Sequence, residues 1–317
     1  MSARSQTNVL RTRALQKPNP SARKSLAGLM LPLREWISEQ RRLTLLRWLR
    51  HVPVIPVLMR VPQIGWWLAR NDACGQAIVR GSYEDRERQF VESVLRPGMT
   101  VLDIGAHHGL YTLLASRKVG MRGRVLAFEP SVRERNNLLR HLRLNRCSNV
   151  DVEAVALGSE SCSGELFVVQ GIETGCNSLH PPGVSEPTVK APVSVETLDG
   201  CLKRRGITQV DFIKIDVEGA ELEVFKGATE LLKHSLRPII LAEVQDLRTA
   251  AWGYPAREIV EFLRQYDYRW FRLAESGVQL FQDDRARIDE NLIAVPRERE
   301  LPDPGSHVII YPEAQSC

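Results

Sequence analysis

The six cysteines of this sequence show no paired spacing, and no Cys-x-x-Cys occurs. That absence excludes zinc ribbons, thioredoxin-type redox motifs and small disulfide frameworks, so reduced thiols in a cytoplasmic setting are expected. Long apolar runs are also lacking. The most apolar early stretch, residues 52–68, contains Pro53, Pro56, Pro62 and Arg60, which a membrane-spanning helix does not accommodate. The first 25 residues are polar and basic without an apolar segment, and no secretory signal is expected. Acids are scarce early in the chain. Residues 1–80 carry 14 Lys and Arg against Glu35, Glu39 and Asp72, whereas the remaining 237 residues hold 29 bases and 35 acids. A basic front on a mildly acidic body suits nucleic acid, an anionic membrane surface or an acidic glycan, or else a solvated arm. Trp36, Trp48, Trp66 and Trp67 stand among those arginines. Peripheral contact of residues 31–80 with an anionic membrane is one reading of them, and packing onto the rest of the chain is the plainer one.

What is present fits a globular enzyme. With 43% hydrophobic residues over 317 positions, the chain can bury one large core, or one core and a small appendage. Residues 1–30 show no apolar period and are expected to form a disordered basic tail. In the basic extension, residues 31–80, Leu33, Trp36, Ile37, Leu43, Leu46 and Leu49 recur at helical spacing, followed by proline-broken segments. From residue 81 to about 300 the pattern alternates. Strands are expected at 100–104, 123–128, 150–156, 210–215, 239–244, 269–273 and 292–295. Helices are expected at 83–95, 110–119, 133–144, 221–232 and 256–266. A strand, a Gly/Pro-rich loop and another strand occupy 165–195, and 301–317 form a tail. The fold class implied is α/β, a doubly wound and mostly parallel sheet with helices on both faces and an N-terminal helical extension. In such sheets ligands bind beyond the carboxyl ends of the strands.

Two strand tips carry the first chemical signal. Val101-Leu102-Asp103-Ile104-Gly105-Ala106-His107-His108-Gly109 links a strand to a helix as D-x-G-x-x-x-G. A dinucleotide site would want G-x-G-x-x-G, with a pyrophosphate on the helix end. An acid before the first glycine suits a ligand with a positive centre instead. Twenty-six residues later, one β-α-β step on, Glu129 and Pro130 close the second strand, where a carboxylate can accept both hydroxyls of a ribose. The third signal is Lys214-Ile215-Asp216-Val217-Glu218. Strand alternation turns Lys214 and Asp216 to one side, and a lysine inside a central strand needs a partner or a polar cleft. Asp216, Glu218 and Glu221 stand close enough in sequence to offset it.

Asp103-Ile104-Gly105-Ala106, Tyr111-Thr112, Phe128-Glu129-Pro130, Thr197-Leu198-Asp199 and above all residues 211–221, Asp-Phe-Ile-Lys-Ile-Asp-Val-Glu-Gly-Ala-Glu, resemble the FkbM family of methyltransferases. The likeness covers about residues 83–295. It implies a class I methyltransferase (Rossmann-like) fold, S-adenosylmethionine as cofactor, and methylation of a hydroxyl oxygen on a sugar, glycan, natural-product or lipid-linked acceptor. Asp103, Gly105, Ala106, His107, Gly109, Tyr111, Thr112, Glu129 and Pro130 are the expected cofactor residues, with Glu84 reaching the methionine end. His107 stands where the family usually has Asn. For the transfer, Asp216, Glu218 and Glu243 are candidate bases at neighbouring strand tips, and Lys214 orients the base or offsets charge near the alkoxide. Two of the acids could instead hold a divalent cation, although no metal is expected. His107 and His108 are further candidate bases. Asn177 and Ser178, in the Gly/Pro-rich loop, are candidate acceptor contacts. Two other readings stay open: an RNA methyltransferase using the basic arm, although no RNA-binding module is recognisable, and a catalytically silent S-adenosylmethionine-binding protein, which would not need Asp216 and Glu218.

Overall fold

The computed structural model describes residues 40–49, 55–275, 277–282 and 287–301. The chain divides at Arg47/Trp48 into two compact units. Of the first, only residues 40–47 are described, and they belong to helix α1 (residues 40–49). The tails expected at 1–30 and 302–317 lie outside the described residues. Every other described element belongs to the second unit.

The helical extension expected to residue 80 is corrected by a β-hairpin, β1 (Val57–Val61) and β2 (Gly65–Ala69), followed by helix α2 (Ala73–Arg80). The prolines explain the difference. Pro56 precedes the first strand and Pro62 opens the three-residue turn, so they bracket strands rather than break a helix. Side chains then alternate as a half-buried strand requires: Trp67 is fully buried, while Trp66 is 45% exposed. Asp72 caps α2 by accepting from Gly75 N–H at 2.6 Å. Among the described residues no helix is long and apolar enough to cross a membrane.

Helix α3 (Asp85–Val94) leads into the main sheet. In chain order come β3 (Thr100–Ile104), α4 (Leu110–Val119), β4 (Arg124–Phe128), α5 (Val132–Leu144) and β5 (Val150–Glu153). A three-stranded sheet interrupts: β6 (Ala156–Leu157), β7 (Cys162–Val169) and β8 (Thr188–Glu196). The main sheet resumes with α6 (Leu198–Arg204), β9 (Phe212–Ile215), α7 (Glu221–Lys226), α8 (Thr229–Lys233), β10 (Ile239–Gln245), α9 (Asp246–Thr249) and α10 (Arg257–Arg264). It ends with β11 (Tyr268–Ala274), β12 (Gly277–Leu280) and β13 (Asp289–Pro296). Its order is β12-β11-β13-β10-β9-β3-β4-β5. The five strands from β5 to β10 are parallel, and β13, β11 and β12 pair antiparallel at the far side.

This is the doubly wound α/β architecture with a mostly parallel sheet. Its central strands bury Leu102, Ile104, Ile213, Ile215, Ile240 and Ala242, as parallel strands covered on both faces must. From β3 the chain winds outward through β4 and β5, then returns to lay β9 and β10 on the other side. The switch of direction falls between β3 and β9, which opens a crevice at their carboxyl ends. Local departures have local causes. The helix expected over 221–232 breaks at Gly227, where a Cβ would lie 2.1 Å from the Gly158 carbonyl oxygen. The third strand stops at Glu153, because Ala156 and Leu157 pair with β8 instead. Strand β12 carries no clear signal in sequence.

Candidate functional site

Asp103 and Lys214 face each other in register across β3 and β9, at the switch point. Just beyond, Gly105 turns the chain at φ +83, and a Cβ there would sit 1.8 Å from the Asp216 carbonyl oxygen. Glycine is therefore required by the crossing of two strand exits. His107 follows at φ 49, and its N–H donates to Glu129 Oε2 at 2.7 Å. Glu129 Oε1 accepts from Ser131 N–H at 2.8 Å. The turn thus clamps the second strand tip. Burial pushes the Glu129 carboxyl up to about 8, although both backbone donors oppose the shift.

The resulting cleft has two halves that share Gly105, His107, Gly175, Asp216 and Glu218. One half, about 580 Å³ including open solvent, is walled by Phe128, Pro130, Val155, Leu157, Leu166 and Leu179, with Glu129 among them. The other half is polar. Asp103, Glu84, Tyr111, Lys214, Asp216 and Glu218 line it, beside Trp67, Cys74 and Tyr83. Four acids against one lysine make this half suited to a cationic ligand. Tyr111 donates its hydroxyl to Glu84 Oε2 at 2.7 Å. Thr112 is fully buried and donates to Asp103 Oδ2, so it orients that acid from behind. Asp103 is raised to about 6, by burial against the opposing Thr112 bond and Lys214 charge. Of the expected cofactor residues, Asp103, Gly105, Ala106, His107, Tyr111, Glu129, Pro130 and Glu84 line the cleft. Thr112 does not, and neither does Gly109, which turns at φ 89 to start α4 against Leu138.

Lys214 is 3% exposed and its Nζ lies 3.1 Å from Asp216 Oδ2. Burial alone would lower this lysine, but the charges of Asp216, Glu84 and Glu243 outweigh it and hold the ammonium above its ordinary value. The set of compensating acids differs from the sequence expectation. Glu221 turns back to accept from Val217 N–H at 2.9 Å, and Glu218, at φ 57, meets Arg248 Nε at 2.8 Å. Asp216 is held below its ordinary value because Lys214 and a bond from Glu243 overcome burial. Glu218 is pushed up to about 8 by burial and by the Asp216 charge, and Glu243 is raised strongly by the same causes. Carboxylate oxygens of Asp216, Glu218 and Glu243 lie within 4.8 Å of one another. Asp216 and Glu218 line the cleft, whereas Glu243 is not among its walls.

The histidines are engaged elsewhere. His107 Nε2 lies 3.1 Å from Thr174 Oγ1, and burial brings its pKa down to about 3. His108 stacks on it and bonds Glu134 through Nε2 at 2.7 Å. His141 closes the chain of contacts. Its Nε2 accepts from Leu68 N–H at 3.0 Å, its Nδ1 donates to the His108 carbonyl at 2.7 Å, and its ring stacks on Trp67. The hairpin therefore braces the turn from behind. Asn177 and Ser178 do line the apolar half, but Asn177 Oδ1 accepts from Val169 N–H and Ser178 Oγ donates to the Glu218 carbonyl. Sequence reasoning misses Arg248, Thr174, Trp67 and Cys74 as parts of the site. A lone arginine on a later helix carries no local signal, and Trp67 reads in sequence only as a packing or surface residue.

The Methyltransferase FkbM domain, as a family model, matches residues 103–270. The AMB antimetabolite synthetase AmbE of Pseudomonas aeruginosa is 29% identical over 209 residues, which is 55% of this chain and 10% of that protein. Methyltransferase sdnD of Sordaria araneosa is 31% identical over 158 residues, 41% of this chain and 60% of the relative. The chain thus spans a tenth and about three fifths of these two relatives. A crystal structure of Methyltransferase FkbM from Methylobacillus flagellatus KT aligns with 71% of this chain and 55% of its own, at 19% identity and a TM-score of 0.39.

Proposed function

The chain belongs to the FkbM family of S-adenosylmethionine-dependent methyltransferases, and from that premise we propose that it methylates a hydroxyl oxygen of a sugar, glycan, lipid-linked or natural-product acceptor. The observation that carries this reading is the two-part cleft at the β3/β9 switch point. An apolar half with Glu129 in its wall matches an adenosine, and an acid-rich half with one lysine matches an amino acid bearing a sulfonium. Glu129 would hold the ribose hydroxyls, between the Phe128 and Pro130 walls. Asp103 and Glu84 would face the ammonium group, with Gly105, Ala106, His107 and Tyr111 shaping the turn around it. Thr112 and Gly109 would act through Asp103 and α4, without touching the ligand.

The bound cofactor supplies an electrophilic methyl group. The protein's task is then to strip a proton from a poor nucleophile and hold that oxygen in line. Glu218 is the base in this reading. It lines both halves of the cleft, and a value of about 8 makes its ionised form a stronger acceptor than an ordinary carboxylate. Lys214 keeps Asp216 ionised and fixed, so Asp216 orients the acceptor hydroxyl. Burial and the Asp216 charge sustain the raised value of Glu218, and Glu243, off the cleft walls, bonds Asp216 and helps keep it ionised. The closeness of Asp216, Glu218 and Glu243 favours one variant, in which a divalent cation between them lowers the hydroxyl pKa instead. Lys214 and Arg248 already offset two of those three charges, which favours the base.

The test is calorimetry of the pure chain with S-adenosylmethionine and its demethylated product, followed by labelled transfer into extracts fractionated into glycan, lipid, small-molecule and RNA pools. Saturable heat and label in any of the first three pools is expected. Absence of heat removes the cofactor assignment, and label confined to RNA moves the acceptor to nucleic acid. Transfer that persists in chelator removes the cation variant.

A further inference from the structure

Helix α5 carries Arg133, Asn136, Asn137 and Arg140 at i, i+3, i+4 and i+7, which puts four polar side chains on one face. Facing them, just after β2, are Arg70 and Asn71. Together these six residues line a groove of about 730 Å³, open solvent included, and none of them lines the cofactor cleft. The groove is built from both sides. Gly75 lets α2 press against the backbone of Arg70, since a Cβ there would lie 2.2 Å from the Arg70 carbonyl oxygen. The N-terminal end of α5 adds its own partial positive charge.

Three guanidinium groups in one groove repel one another, and their compensation is incomplete. Two carboxylates share the wall, Asp72 and Glu134, but both are committed inward. Asp72 caps α2 and lies 3.9 Å from His108 Nδ1. Glu134 bonds His108 with one oxygen and Arg133 Nε with the other. Neither Arg70 nor Arg140 has a carboxylate within 4 Å among the described residues. Arg140 reaches only the amide oxygen of Asn137, at 3.2 Å. The Arg133 side chain is 37% exposed, but its Nη2 is shut off from solvent without a hydrogen-bond partner, so a ligand reaches that atom only if the side chain turns outward. A buried donor left unmatched is costly, and guanidinium groups match phosphate oxygens in pairs.

We propose that this groove binds a small phosphate ester, with its phosphate oxygens on Arg70, Arg133 and Arg140 and its organic part against Asn71 and Asn136. The ligand would sit one side chain away from the cofactor turn, with His108 as the shared wall. The site does not depend on the identity of the methyl acceptor.

The full chain is titrated calorimetrically with inorganic phosphate, with a hexose monophosphate and with a short single-stranded RNA, and S-adenosylmethionine affinity is measured in parallel. The expected result is saturable binding of the hexose monophosphate, tighter than that of inorganic phosphate and weakened by added salt. Arg70→Gln and Arg140→Glu each weaken it at least about tenfold, the change expected when one charge-assisted contact is lost. Arg140 is exposed, so its replacement leaves the fold intact, and an unchanged urea midpoint verifies this. Cofactor affinity stays within about twofold in both variants, which separates a failure here from a failure of the methyltransferase reading. Equal binding of phosphate and ester overturns the ester assignment. So do variants that bind as the wild type does, a groove that takes up neither ligand, or RNA that binds far more tightly with a steep salt slope.

Discussion

Replacing Lys214 by Met keeps most of the side-chain volume and deletes its charge, leaving Asp216 at the base of a cleft that also holds Glu84, Asp103 and Glu218. Lys214 is 3% exposed and bonds Asp216 at 3.1 Å. Removing one partner of a buried ion pair costs about 3–5 kcal/mol, which for a chain of this size corresponds to a fall in melting temperature of about 4–8 °C. The sign of the pH dependence comes from the direction of the shifts. In the wild type Lys214 holds Asp216 below its ordinary 3.8, so this contribution is present above that pH and is lost as the pH falls through the depressed value. Without Lys214, burial and the neighbouring acids raise Asp216 above 3.8, and its protonation then favours the folded chain as the pH falls. The stability deficit of Lys214→Met is therefore largest near pH 8 and smaller near pH 5. Adding Asp216→Asn to Lys214→Met should recover most of the loss, because no unpaired charge remains. Urea and thermal unfolding of the three proteins at both pH values is the assay. A deficit equal at pH 5 and pH 8, or a double variant no more stable than the single one, would refute the reasoning.

Glu218→Gln is expected to lower kcat by about 10²–10⁴-fold while the dissociation constant of S-adenosylmethionine moves by less than about threefold. In the wild type, turnover should rise with pH and level off above about 8, as Glu218 ionises; a flat profile or full activity of the variant removes Glu218 as base. Glu129→Ala should weaken cofactor binding by about 10–100-fold above pH 8, where Glu129 is ionised, matching about 1.5–3 kcal/mol for hydrogen bonds to a charged group. Unchanged heat of binding in a folded variant would leave the ribose without its proposed partner. Gly105→Ala forces a Cβ onto the Asp216 carbonyl oxygen, so it should destabilise the chain by more than about 3 kcal/mol or prevent soluble expression. A melting temperature within about 1–2 °C of the wild type, roughly the effect of 1 kcal/mol, would contradict the close crossing of the two strand exits.

The alternation of buried β runs with helical periods makes the doubly wound sheet legible, because a two-residue period and a 3.6-residue period are properties of the local chain. The tips that bear Asp103, Glu129 and Asp216 are legible for the same reason: strand ends are marked by glycine, proline and a change of period. Proline is a poorer guide over residues 52–68. Three prolines argue against a helix in any context, but whether Pro56 and Pro62 break one or frame a hairpin depends on a second strand being available to pair.

The sequence by itself determined which side chains stand at which strand end, and that an acid rather than a third glycine guards the first turn. Only the tertiary structure decided their partners. Arg248 rather than Lys214 meets Glu218, Glu84 and Glu243 rather than Glu221 sustain Lys214, and a hairpin from the basic front of the chain braces His108 through His141. Charges pair through space at distances set by packing, and residues 30 or 70 positions apart leave no periodic trace of that meeting in the chain.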